Sequence, residues 1–323
     1  MNQKVVIAYH GHCFDGMCSA AVLTRFLREI ESSALTFSYK GIDHQSGGSF
    51  VPEEILTGDI NAVIDFRYTM SEKLTWWFDH HISGIVNDTE LQHYRSDTSG
   101  RKFFEPSYSS CCKLIVDVAN SHFNIRMSEL DDLVYWADII DSARFSDAKS
   151  AVELEEPALQ LMTVIETYGD DQFLNQRIRR LAEGVPIEEI AREPEVNKLF
   201  EPLLRSHRRT CQIIDEKAEF SRGVVSFELI GTNSDRYNKF IPYWLYPDAR
   251  YCVAILASKT RAKVSVGSNP WAKEPRTHDI AKICSRYGGG GHPAVGAVTL
   301  KSDEIARARE IGKEIISQLA AEY

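Results

Sequence analysis

In the first 145 residues the hydrophobic positions fall in short runs of strand type, separated by amphipathic stretches. The runs are Val5–Tyr9, Leu35–Tyr39, Ala62–Phe66 and Trp76–Phe78. Between the first two, Ala20, Ala21, Leu23, Leu27 and Ile30 recur at helical spacing behind a polar turn that contains Gly16. This strand–helix–strand order predicts an α/β fold with a parallel sheet covered by helices. From Ser109 to Leu181 the pattern is mainly helical, and Leu130–Ile140 places Leu130, Leu133, Val134, Ala137 and Ile140 on one stripe. A polar stretch punctuated by Pro186, Pro194 and Pro202, then the basic run Arg205–Arg209, reads as a hinge or connecting helix. Beyond it, Gly223–Ile230, Tyr251–Leu256 and Lys263–Val266 are strand-like, while Asp279–Tyr287 and Glu304–Leu319 are helical. The expected organisation is a first domain over 1–190, a connector over 191–217 and a smaller α/β domain over 218–323.

Composition narrows the partners more than the fold. A chain of 323 residues with 43% hydrophobic residues can bury a core in each of two domains. Its net charge of -9 opposes tight binding of duplex nucleic acid, but leaves room for a small anion bound locally by cations and a few basic groups. Seven scattered cysteines form neither a disulfide framework nor a CxxC zinc pattern. No run approaches the roughly 18 apolar residues of a membrane helix. The start MNQKVVIAYHGH lacks a signal-peptide pattern, so a cytoplasmic protein without a membrane partner is expected.

Four polar clusters carry candidate chemistry. His10, His12, Cys13 and Asp15 follow the first strand, at the end of a parallel sheet where ligands bind. Asp65 closes the run Ala62–Ile64, a position where a lone aspartate is commonly only a cap. Asp79, His80 and His81 follow the aromatic run Trp76–Phe78, and ionisable groups so close to a core need partners. Asp138 and Asp141 share a face at the end of a helix, where the macrodipole disfavours them and Arg144 or a metal would compensate. Together, carboxylates and imidazoles at several strand ends can hold two Mn²⁺ or Mg²⁺ ions ~3.5–4 Å apart, which activates water for attack on phosphorus. Oxygen and nitrogen donors suit Mn²⁺ better than Zn²⁺.

The order of these clusters, with its Asp79-His80-His81 triplet, resembles the DHH superfamily of phosphoesterases. The resemblance extends to Gly288-Gly289-Gly290-Gly291-His292, which is similar to the substrate-binding motif of the associated DHHA1-type C-terminal domain. It implies a parallel-sheet DHH domain followed by a smaller DHHA1-like domain, with the substrate cleft between them. It also implies that Asp15, Asp65, His80 and Asp141 ligate metal, that Asp65 bridges, and that His81 faces the substrate phosphate. Asp79 and Arg144 join His81 as catalytic candidates. Consecutive glycines, costly in backbone entropy, make sense where amides approach a phosphate or sugar. Substrate contact is accordingly expected at Gly289, Gly290, Gly291 and His292, with Ser265 and Arg286 nearby candidates.

The chain also departs from the family. Members commonly place two aspartates two residues apart in the first motif, whereas Asp15 is flanked at that distance by Cys13 and Met17. One carboxylate is therefore missing, and His10, His12 and Cys13 are the candidate replacements. Gly267 stands where a family strand often carries arginine, leaving Arg261, Lys263 or Arg286 for phosphate contact. The expected activity is Mn²⁺-dependent hydrolysis of a phosphate ester in a short single-stranded oligonucleotide or small nucleotide. The alternatives are a polyphosphate or pyrophosphate hydrolase, and a non-catalytic nucleotide-binding protein with a degenerate metal site. A homodimer stays open.

Overall fold

The computed structural model describes residues 2–43, 50–231 and 237–321, and it divides into two compact units. The first comprises Met1–Phe145 and Glu155–Glu201, the second Ser146–Leu154 and Pro202–Tyr323. The division falls within a single helix, Pro194–Lys217 (α9), and the short helix Ala148–Glu153 (α5) goes with the second unit.

The first unit is built on strands Gln3–His10 (β1), Leu35–Ile42 (β2), Ile60–Ile64 (β3), Trp76–Asp79 (β4) and Lys102–Phe104 (β5). All pair in parallel, in the order β2-β1-β3-β4-β5. The central strands β1, β3 and β4 carry buried runs without a polar face because helices or loops cover both sides, whereas the edge strand β2 alternates buried and more exposed residues. On one side Phe14–Ile30 (α1) packs with Cys111–Phe123 (α3), where Phe26 meets Trp76 and Phe123 edge to face. The other side buries Ala8, Val63, Phe66, Tyr68 and Trp77, with Tyr94 of Asp88–Ser96 (α2) against them. Asp131–Asp141 (α4), Pro157–Tyr168 (α6), Asp171–Ala182 (α7) and Ile187–Ala191 (α8) complete the unit. β5, a three-residue strand of half-buried residues, carries no alternation long enough to be read from the sequence.

The strand order sets the place of the chemistry. The chain moves from β1 to β2 on one side and to β3 on the other, so a switch point opens at the C-terminal ends of β1 and β3. Tyr9 pairs with Ile64 and Ile64 with Phe78, which aligns the next residues: His10, Asp65 and Asp79. Gly16 lets α1 begin against the end of β1, because a Cβ there would stand 2.2 Å from the His10 carbonyl oxygen.

The second unit holds strands Glu219–Ser221 (β6), Val224–Leu229 (β7), Tyr251–Ala257 (β8), Ala262–Ser268 (β9), Gly290–His292 (β10) and Val295–Leu300 (β11). They form a sheet in the order β10-β11-β9-β8-β7-β6, antiparallel except for β7 with β8. One face packs on Ile280–Ser285 (α11) and Ile305–Ala320 (α12) through Ile283, Ile311 and Ile315. The other packs on Val152 of α5, Ile214 of α9 and Ile241–Leu245 (α10). The glycine run is thus the edge of a sheet rather than a free loop.

Two glycines separate steric need from other roles. Gly16→Ala forces a backbone collision and should cost about 1–3 kcal/mol of stability. A Cβ on Gly290 meets nothing within 4 Å, so Gly290→Ala should stay within about 0.5 kcal/mol of the parent. Urea denaturation of both variants measures this; equal midpoints would contradict it.

Candidate metal centre

Asp65 is the middle of the cluster. It follows β3 with φ of 52°, a left-handed conformation that ends the strand and that aspartate tolerates better than most residues. Its side chain is 1% exposed, and neither carboxylate oxygen has a hydrogen-bond partner among the described residues. The two oxygens face different neighbours. Oδ2 lies 3.5 Å from His10 Nδ1, while Oδ1 lies 3.4 Å from His80 Nε2 and 3.8 Å from His81 Nδ1.

His80 is aimed from behind. Its Nδ1, 3.0 Å from the Tyr108 carbonyl, donates to that oxygen, which fixes the tautomer and turns Nε2 toward the carboxylates. Nε2 stands 3.4 Å from Asp65, 3.4 Å from Asp141 and 3.9 Å from Asp15, buried and without an aligned hydrogen bond. Asp15, in the first turn of α1, is held by the first amides of α3: Cys111 N donates to Oδ2 at 2.7 Å and Cys112 N to Oδ1 at 3.0 Å. These α3 amides supply what a lone carboxylate at this depth needs.

Three donor groups result, each with its ligand atoms within 4.8 Å of one another: His10, Cys13 and Asp65; Asp65, His80 and His81; Asp15, His80 and Asp141. Asp65 and His80 are shared between groups. His12, an expected ligand, is not in them: at φ of 50° its ring turns outward and Nδ1 pairs with Asp43 at 3.1 Å. Cys13 replaces it in the cluster, a substitution that the sequence left open among three residues.

The helical aspartates divide. Asp141 faces His80, whereas Asp138 accepts from Ser109 Oγ and, at 2.8 Å, from Arg144 Nη2. Arg144, expected among the catalytic groups, is committed to Asp138 and to Ser109 at 2.6 Å, and its side chain is largely exposed. Asp79 is fully buried and its Oδ1 accepts from the amides of His80 and His81 and from His81 Nδ1 at 2.7 Å. It is a positioning residue for the two histidines, and Gly84 makes room for it, since a Cβ there would lie 2.1 Å from Asp79 Oδ2.

Charge in the cluster is set by burial and by the closeness of its carboxylates and imidazoles. Burial opposes the Asp65 anion, yet the imidazoles of His10, His80 and His81 close beside it pull its carboxyl down to about 2. Burial and the neighbouring carboxylates push Asp15 well above the usual range, and lift Asp141 to about 6. His80 rises to about 10, because Asp65, Asp15 and Asp141 outweigh the desolvation of its imidazolium. Burial, then Asp65 and Asp15, hold the Cys13 thiol protonated. A protonated His80 therefore stands as a counter-charge beside Asp65.

The remaining expected residues lie in the second unit. Ser265 pairs with Ala297, and Ala297 with Gly290, so the two stand in one cross-strand row on one face of the sheet. Gly289 and Gly291 are sterically required, since Cβ atoms there would stand 2.2 Å from the Ala297 and Val295 carbonyl oxygens. Gly290 is not. His292 and Arg286 are exposed, Arg286 at the end of α11. Gly267, the position of the absent arginine, is occupied from across by Tyr243, whose hydroxyl would lie 2.8 Å from a Cβ. All seven cysteines are free, and no helix among the described residues is long and apolar enough to cross a membrane.

Binding of divalent cations to this centre should release protons, because His80 and Asp141 hold them at pKa values of about 10 and about 6 and must lose them to ligate. Affinity should accordingly strengthen as pH rises from 6 toward 10. Titration calorimetry in buffers of different ionisation enthalpy reads the protons directly; buffer-independent heats and a flat pH profile would contradict the assignment.

No protein-family profile and no curated protein matches the sequence. Similarity appears in three dimensions. A pGpG-specific phosphodiesterase from Vibrio cholerae superposes with a TM-score of 0.68 at 18% identity, over 99% of both chains. The DHH domain of a protein assigned to a family of ribosomal proteins gives 0.54 at 13%, over 99% of this chain and 88% of the other. RecJ from Thermus thermophilus, in complex with Mn²⁺, gives 0.56 at 10%, with 98% of this chain covering 52% of RecJ. These superpositions over nearly the whole chain, with the Asp79-His80-His81 triplet at the strand ends, give this chain the fold of the DHH-domain proteins.

Proposed function

We propose that the protein is a divalent-metal-dependent phosphoesterase acting on a linear dinucleotide or similarly short single-stranded oligonucleotide. The observation that carries this is the Asp65 carboxylate, buried with neither oxygen hydrogen-bonded, one toward His10 and the other toward His80. Such a group fits a position between two cations. His10, Cys13 and Asp65 would hold one ion, Asp15, Asp65, His80 and Asp141 the other, with Mn²⁺ the favoured hard cation for the second set. Bound there, divalent ions supply an acidified water and neutralise charge on the phosphoryl group.

The chain's own residues do the rest. Asp79 accepts from His81 Nδ1 and raises the basicity of that imidazole, leaving Nε2 as the atom that donates to a phosphoryl or leaving oxygen. The α3 amides hold Asp15 still, and the Tyr108 carbonyl holds His80. On the second unit, Gly290 and His292 serve substrate affinity: the one glycine of the strand with no steric requirement sits in the Ser265 row, beside an exposed imidazole. The full-length likeness to the pGpG-specific enzyme supports the short-substrate class.

A screen with Mn²⁺ against linear dinucleotides, 3'-phosphoadenosine 5'-phosphate, cyclic dinucleotides, pyrophosphate and polyphosphate tests the reading. Turnover of dinucleotides is expected, abolished by EDTA and by His80→Ala or Asp65→Ala with the circular-dichroism spectrum unchanged. Gly290→Val and His292→Ala should raise KM while Mn²⁺ affinity stays normal. Turnover only of substrates lacking a base, or full activity in EDTA, would overturn it.

A further inference from the structure

The two halves of the centre differ in chemistry. Cys13 occupies the N-cap of α1, where serine, threonine, aspartate or asparagine would normally stand, and its side chain makes no capping hydrogen bond. It is free of disulfide, and its sulfur lies within 4.8 Å of ligand atoms on His10 and Asp65. The second observation is independent of the thiol: Asp65, 1% exposed, turns an unpartnered Oδ2 to this side, 3.5 Å from His10 Nδ1. The opposite group, Asp15, His80 and Asp141, offers only oxygen and nitrogen.

Resting on the two-cation reading above, we propose that the His10–Cys13–Asp65 pocket is a thiolate-containing site selective for a borderline-soft ion such as Zn²⁺, Co²⁺ or Fe²⁺, so that the loaded centre is heterometallic. Thiolate and imidazole donors favour these ions, whereas carboxylate-rich sets suit Mn²⁺ and Mg²⁺. On loading, the Cys13 proton passes to solvent and a sulfur lone pair forms the bond to the cation; no oxidant or reductant takes part. An aspartate at position 13 would make the two pockets alike, and the cysteine makes them unlike.

The test is spectroscopic and does not depend on turnover. Metal-free full-length protein is titrated with Co²⁺, and the near-ultraviolet thiolate-to-cobalt charge-transfer band is followed. The band should appear and saturate with one equivalent, vanish in Cys13→Ser and Cys13→Asp, and persist in Asp141→Asn. Protein equilibrated with equal Zn²⁺ and Mn²⁺ should retain both metals, and Cys13→Asp should lose its zinc. Two bound cobalt ions without the band, or a band unchanged in Cys13→Ser, would overturn the inference while leaving the phosphoesterase reading intact. Absence of any divalent binding would overturn both. The band with no hydrolysis of any phosphate ester would support this inference and sink only the proposed activity.

Discussion

The structure turns on one unsatisfied carboxylate. A buried anion without hydrogen-bond donors costs several kcal/mol unless opposite charge stands close. Asp65 has no such donors, and imidazoles stand on both sides of it at 3.4 and 3.5 Å, close by but without an aligned hydrogen bond. The parallel sheet makes this arrangement possible. Its register delivers His10, Asp65 and Asp79 side by side, and the switch point leaves their side chains no strand to pack against.

Around that carboxylate, backbone groups do most of the fixing. Two amides of α3 hold Asp15, the Tyr108 carbonyl orients His80, and Asp79 gathers the amides of His80 and His81. Side chains held by main chain have little further freedom to lose, so the cluster is preorganised. Gly16 and Gly84 belong to the same device. Each removes a Cβ that would collide with a group the centre needs, the His10 carbonyl in one case and Asp79 Oδ2 in the other.

Much of this was legible in the sequence, for reasons that also mark where legibility ends. Buried apolar runs or clear alternation made β1 to β4 and β7 to β9 visible, and the polar residues after β1, β3 and β4 pointed to His10, Asp15, Asp65 and His80. β5, β6 and β10 are three-residue edge segments without a hydrophobic signature, and only the finished ladder defines them. Side-chain direction was not legible either. His12 and Cys13 are adjacent and equally suited to ligation; a positive φ at His12 sends one ring to Asp43 and leaves the thiol with Asp65. Asp138 and Asp141 share a helix face, and the arginine that follows the helix takes the former. The glycine run mixed two causes, since Gly289 and Gly291 answer to the sheet and Gly290 does not.

The central claim is that Asp65 sits between two cations. Crystals equilibrated with Co²⁺, an ion both donor sets accept, and measured at the cobalt absorption edge test it most directly. The account predicts two anomalous peaks flanking the Asp65 carboxylate, ~3.5–4 Å apart, one beside His10 and Cys13 and the other beside Asp15, His80 and Asp141. No peak within bonding distance of Asp65, or ions held elsewhere while its oxygens stay bare, would contradict it.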